Sequence, residues 1–189
     1  LDASGLAEDT LVVFTSDHGE GCAAHKMVVK LTLYDEVAGV PLICRWPGRI
    51  PAGSVCASHV ASGIDLPNTF LDAAGAEPLG DSPGQNLLPQ MMNPAAPGRD
   101  SVMVQLHPDP KRPELEARLL RTPDFAYMVF SHGEPREALY DLRTDPGQTR
   151  NMIQEPSLSG ELPALRAKFA EWLNRTEDSF PLPSQKHRG

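Results

Sequence analysis

Residues 10–51, TLVVFTSDHGEGCAAHKMVVKLTLYDEVAGVPLICRWPGRIP, constrain the chain more than any other stretch. Leu11, Val12, Val13 and Phe14 form an unbroken apolar run, too short for a helix and rich in β-branched and aromatic types. That is the pattern of a strand buried on both faces. Thr15-Ser16-Asp17-His18-Gly19 ends the run. In an open α/β sheet, ligands bind beyond the carboxyl ends of the strands, so Asp17 and His18 stand where such a sheet carries its chemistry. A carboxylate and a neutral imidazole are both metal-ligand types. Gly19 permits a positive φ or a close backbone approach. Taken singly these residues say little. An Asp after a strand commonly caps a helix, and a lone lysine such as Lys30 commonly sits in solvent.

The order of the parts says more. Ser16-Asp17-His18-Gly19-Glu20 is followed by His25, Lys30, Leu33-Tyr34-Asp35-Glu36, Val40-Pro41-Leu42-Ile43 and Arg45-Trp46-Pro47-Gly48. This succession resembles the sulfatase family of the alkaline phosphatase superfamily. A second stretch, Leu139-Tyr140-Asp141-Leu142 with Thr144-Asp145-Pro146-Gly147-Gln148-Thr149-Arg150-Asn151-Met152, resembles that family's C-terminal signature. Together they extend the resemblance over residues 8–175.

The resemblance implies that Asp17 and His18 bind a divalent cation. Calcium is the family's usual ion, with manganese or magnesium as alternatives because imidazole is softer than calcium prefers. It implies that Lys30 contacts the sulfate and that His25 lies at the catalytic site, in a substrate contact or a structural hydrogen bond. Lys26 is a second candidate cation. A metal and an ammonium together suit an anionic group whose charge grows as an ester bond breaks. The implied activity is metal-dependent hydrolysis of sulfate esters, on a sulfated small molecule or carbohydrate. The alternatives are a phosphonate or phosphate monoester hydrolase of the same superfamily, and a non-catalytic truncated remnant.

The implied fold is α/β: residues 1–98 as the C-terminal part of an alkaline-phosphatase-like mixed sheet with flanking helices, and residues 99–189 as a small subdomain of four antiparallel strands packed by a C-terminal helix. Cys22, Cys44 and Cys56 lack the Cys-X-Pro-X-Arg setting that sulfatases convert to formylglycine, and the family's N-terminal paired aspartates are absent. The chain therefore reads as the C-terminal part of a longer protein, inactive without the N-terminal half of its domain. Its compartment stays open, since any signal would lie upstream. Ala38-Gly39 stands where the family commonly has a larger, often basic residue, which bears on substrate class.

Local patterns fill in the rest. A short helical turn is expected over 33–37, a second buried strand over 40–45 and a strand or extended segment over 54–60. A helix is expected over 65–74, capped by Ser62 or Asp65 with Pro67 in its first turn. The Pro- and Gly-rich span 76–100 reads as surface loop or linker, with Met91 and Met92 filling gaps. Strands are expected over 101–106, 117–121, 125–130 and 137–140, then an amphipathic helix over 162–173 and a loose tail from Phe180. His107, Arg121 and His132 are candidate pocket residues for which a structural role is the stronger expectation. A formal net charge of −8 argues against a nucleic-acid partner. No apolar run reaches the length of a membrane span.

Overall fold

Strands β1 (Val12–Phe14) and β2 (Ile43–Arg45) pair antiparallel, with Val13 opposite Cys44, in a computed structural model that describes residues 1–112 and 114–183. The short helix α1 (Asp35–Ala38) lies between them in the chain. The ribbon has no third strand among the described residues. Phe14 is 62% exposed and Ile43 61%. The expectation of strands buried on both faces therefore fails here, because successive side chains point to opposite faces and only one face of this pair is packed. Both strands are also shorter than expected.

The chain divides into two units, residues 1–17 with 40–100 and residues 18–39 with 101–189. In the first unit, a 3-10 turn Gly63–Asp65 leads into helix α2 (Leu66–Ala73). Ser62 and Asp65 form a capping box, and the proline falls in the first turn as expected. Asp65 is fully buried, which a carboxylate tolerates only with partners. It has them: the Ser62 and Gln85 amides donate at 2.7 and 2.8 Å, and Arg99 forms an ion pair. Thr69 and Asn68, one turn on, take the Leu87 and Leu79 amides at 2.9 Å each. Polar side chains of α2 thus tie down the 79–87 loop. The 76–100 span also carries a short helix, α3 (Leu88–Met92), and residues 54–60 form no strand. A groove of about 1010 Å³ in this unit is lined by Ile43, Trp46, Val55, Leu87 and Met91 among others.

The second unit is built on an antiparallel sheet in chain order: β3 (Val102–Leu106), β4 (Ala117–Arg121), β5 (Phe125–Phe130) and β6 (Glu137–Asp141). These strands fall where the sequence places them. Leu119 lies opposite Met128, and Met128 opposite Ala138. Those residues share a face with Ala117, Ala126 and Tyr140, against which Leu33, Tyr34 and Ala38 pack. The neighbouring row Leu120, Tyr127 and Leu139 points the other way. There helix α4 (Glu161–Arg175) buries Leu165, Phe169, Trp172 and Leu173. The Tyr127 and Phe169 rings meet edge to face at 5.5 Å. Truncating Phe169 would cost about 3–5 kcal/mol.

Charges on the α4 side follow the same pleat. Arg118, one residue from Leu119, turns towards that side and is held by Asp178 at 2.7 Å and Glu116 at 2.9 Å. Glu137 takes both arms of Arg166, at 2.8 and 2.7 Å. The tail expected to be loose from Phe180 is instead anchored at its start. Phe180 is buried, lies edge-on to Phe169 and packs under the Arg118 guanidinium at 4.7 Å. Residues 184–189 of that expected tail lie outside the described residues.

The Arg118 guanidinium holds the Asp178 carboxyl below the usual carboxylate range, against burial that pushes it up. Because the folded-state pKa is depressed, the stability from this pair is present above about pH 4 and is lost as pH falls through the folded pKa. Asp178→Asn is therefore expected to flatten the loss of stability as pH falls below about pH 4. Urea unfolding across that range would show it; an unchanged pH slope would contradict it.

Candidate functional site

The residues singled out by sequence lie in a loop whose backbone is unusual. Cys22, Ala23, His25, Lys26 and Val29 all have positive φ, between 46° and 69°. Non-glycine residues rarely adopt that region, least of all a β-branched valine, and such strain concentrates at ligand sites. The Gly21 amide donates to the Val29 carbonyl at 3.0 Å and closes the loop.

His18 stands at the entrance, half-buried. Its Nδ1 lies 2.7 Å from the Gly19 carbonyl and its Nε2 lies 2.8 Å from Lys30 Nζ. A carbonyl only accepts and an ammonium only donates. Both contacts are met together by one tautomer, with the hydrogen on Nδ1 and the lone pair on Nε2. Holding Nδ1–H on a carbonyl is the second-partner arrangement that fixes a metal-binding imidazole and turns its Nε2 lone pair outward, here towards Lys30. Lys30 is exposed and reaches that nitrogen across twelve residues. Lys26 is exposed as well.

Gly19 explains why the loop sits where it does. Its amide donates to the Val37 carbonyl at 2.8 Å. A Cβ at this position would lie 2.0 Å from the Glu36 carbonyl oxygen, so only glycine fits. Helix α1 therefore seats the residue next to His18. The same helix holds His25. The His25 ring stacks on Tyr34 at 3.7 Å, nearly parallel, and its Nε2 lies 3.5 Å from Glu36. Tyr34 OH is 3.3 Å from Tyr140 OH. Burial, then the Tyr34 hydroxyl, push the Tyr140 phenol pKa up, so that group stays protonated.

Asp17 ends the first of the two segments of the first unit, exposed, with Ser16 donating to it at 3.2 Å. Among the described residues no group of three or more His, Cys, Asp or Glu side chains is arranged to hold a metal ion. The donor types of Asp17 and His18 fit a divalent cation, and two ligands are fewer than a closed site uses. Of the candidate pocket residues, Arg121 is engaged inside the second unit: it forks the Asp35 carboxylate at 3.1 and 2.9 Å. His107 lies 3.9 Å from Glu116 and His132 3.0 Å from Ser131 Oγ. Sequence reasoning missed Asp35, Glu36 and Gln148 as residues of the site's support. Each stood inside a quoted motif, and spacing gave no sign of the Asp35 partners Arg121 and Gln148, 86 and 113 positions away.

The family description N-sulphoglucosamine sulphohydrolase, C-terminal, matches residues 23–175. The chain is 30% identical over 184 residues to a Delta 4,5-hexuronate-2-O-sulfatase of Bacteroides thetaiotaomicron, covering 95% of this chain and 38% of that protein. A protein solved in complex with its substrate D-glucosamine-2-N,6-O-disulfate superposes with a TM-score of 0.81 at 28% identity, over 96% of this chain and 37% of that one. A phosphonate monoester hydrolase of Agrobacterium radiobacter superposes with a TM-score of 0.70 at 30% identity, over 92% and 36%. The chain thus spans less than two fifths of the length of these proteins.

Gly19→Ala is expected to lower stability by about 1–3 kcal/mol and to shift the His18 ring resonances, because the added carbon displaces the loop from α1. Urea unfolding with histidine NMR reads both. A variant within about 0.5 kcal/mol of wild type, with unmoved His18 signals, would contradict this account of the loop.

Proposed function

The chain belongs to the sulfatase family, and on that premise we propose that it supplies part of the active site of a sulfuric ester hydrolase. The observation that carries the proposal is the Lys30 ammonium meeting the lone-pair nitrogen of His18 at 2.8 Å, at the position where the sequence motif puts metal and sulfate. Asp17 and His18 would hold a divalent cation, calcium first, with manganese or magnesium as alternatives. Such a cation would supply Lewis-acid stabilisation of negative charge on the ester oxygens. Lys30 would bind a sulfate oxygen. Nε2 of His18 has one lone pair, to be shared with either Lys30 or the cation; when it serves the cation, the ammonium is left for the anionic substrate. His25, braced by Tyr34 and Glu36, would present a second polar group at the same loop.

The substrate class proposed is a sulfated carbohydrate, supported by the relatives that act on or bind sulfated sugars. A phosphonate monoester hydrolase is the second reading, favoured by the likeness to that solved enzyme. Both would bind a tetrahedral anion with the same cationic groups. The nucleophile would come from the N-terminal half of the domain, which would also cover the exposed β1–β2 face. No helix among the described residues is long and apolar enough to cross a membrane.

The 189-residue chain alone is expected to release no sulfate from sulfated monosaccharides, whatever divalent ion is added. Joined to an N-terminal half carrying a nucleophile, it should do so, and Lys30→Ala should lower kcat/KM about 10²–10³-fold. Inorganic sulfate release measured beside phosphonate ester cleavage tests both readings. Turnover by the isolated chain, or a Lys30→Ala enzyme at wild-type rate, would overturn the assignment. Faster cleavage of the phosphonate would move it to the second reading.

A further inference from the structure

We propose that Gln148 and Arg121 are positioning residues for the site loop, acting through helix α1. The inference rests on the functional reading above for what His18 and Lys30 do, and on the geometry of the second unit for how they are held there.

Helix α1 has four residues and no local side-chain cap; Tyr34, at its N-cap, has none to offer. Its first amide, Asp35 N, is instead capped from 113 residues away by Gln148 Oε1 at 3.0 Å. Gln148 is 2% exposed and has a positive φ of 51°. The turn that carries it is held by Asp145, which accepts from the Gln148 amide at 3.0 Å, the Thr149 hydroxyl at 3.0 Å and the Arg150 amide at 2.9 Å. A buried residue in that backbone conformation, delivering one acceptor to one helix end, is placed by its surroundings. The amide's other end, Nε2, has no hydrogen-bond partner among the described residues. The acceptor is thus the half of the side chain in use.

Arg121 fixes the same residue from the sheet. It follows Leu119 by two positions on β4 and so points to the face on which α1 packs. Its fork on Asp35 is bidentate, which sets orientation as well as distance. From Asp35 the helix runs to Val37, whose carbonyl receives the Gly19 amide, and Gly19 accepts from His18. Five contacts therefore connect the sheet and the 145–150 turn to the imidazole. An isolated helix of this length has no stability of its own, so these contacts decide where it sits.

The test is amide hydrogen exchange of the full chain, followed at Gly19 and, for comparison, at Leu119 and Met128 in the sheet. Gln148→Met removes the acceptor at similar volume and Arg121→Lys removes the fork while keeping the charge. Each should speed Gly19 exchange about five- to tenfold, the scale of one lost hydrogen bond, and leave the sheet amides unchanged. Gly19 exchange at the wild-type rate in Arg121→Lys would overturn the proposal. So would a rise matched by Leu119 and Met128, which would mark general destabilisation. If Gln148→Met does not fold, Arg121→Lys decides. The readout needs neither turnover nor metal, so its failure is separate from failure of the sulfatase reading.

Discussion

The hydrogen bond from the Gly19 amide to the Val37 carbonyl, 2.8 Å long, is the contact on which the site loop depends. It joins the peptide beside His18 to a four-residue helix that is itself pressed against a sheet. Everything that fixes α1 therefore fixes the imidazole. Leu33, Tyr34 and Ala38 supply apolar packing, and Arg121 and Gln148 supply orientation. The loop beyond stores backbone strain at five positions between Cys22 and Val29, and strain of that kind persists only where the surroundings over-determine it.

The sheet can bear this role because both of its faces are covered. Leu119 and Leu120 are adjacent on β4 and both fully buried, one among the residues that pack the site segment and the other on the opposite row. The pleat also sorts the arginines. Arg118 turns to Asp178 and locks the segment that carries Phe180, whereas Arg121 turns to Asp35 and locks the site. The small sheet is thus part of the machinery that shapes the site, since residues 18–39 fold with it.

Much of this was legible in the sequence. Four short apolar runs separated by turns gave the strands of the sheet almost to the residue, because both faces are apolar and turn residues punctuate them sharply. The amphipathic spacing of Leu165, Phe169, Trp172 and Leu173 gave α4. The motif order gave Asp17, His18, His25 and Lys30 as candidates. The burial of β1 and β2 did not follow, since an apolar run records what a strand is suited to pack against and not whether this stretch of chain provides it. Phe180 was misjudged because Pro181 and Pro183 flank it with tail-like composition, while its anchor is an arginine on β4. The Asp35 clamp was out of reach because its partners are separated by 86 and 113 positions and neither is marked by spacing. Asp65 was seen as a cap, and its buried pairing with Arg99 was not.

The central claim is that the second unit presents the outer nitrogen of His18 as an acceptor, with the Lys30 ammonium set against it. Nitrogen-15 NMR of the histidine rings at neutral pH, with and without a divalent cation, tests this most directly. The account predicts that His18 carries its hydrogen on Nδ1, and that manganese broadens the Nε2 signal first. A His18 ring with its hydrogen on Nε2, or one whose signal manganese leaves untouched while other histidines respond, would contradict it.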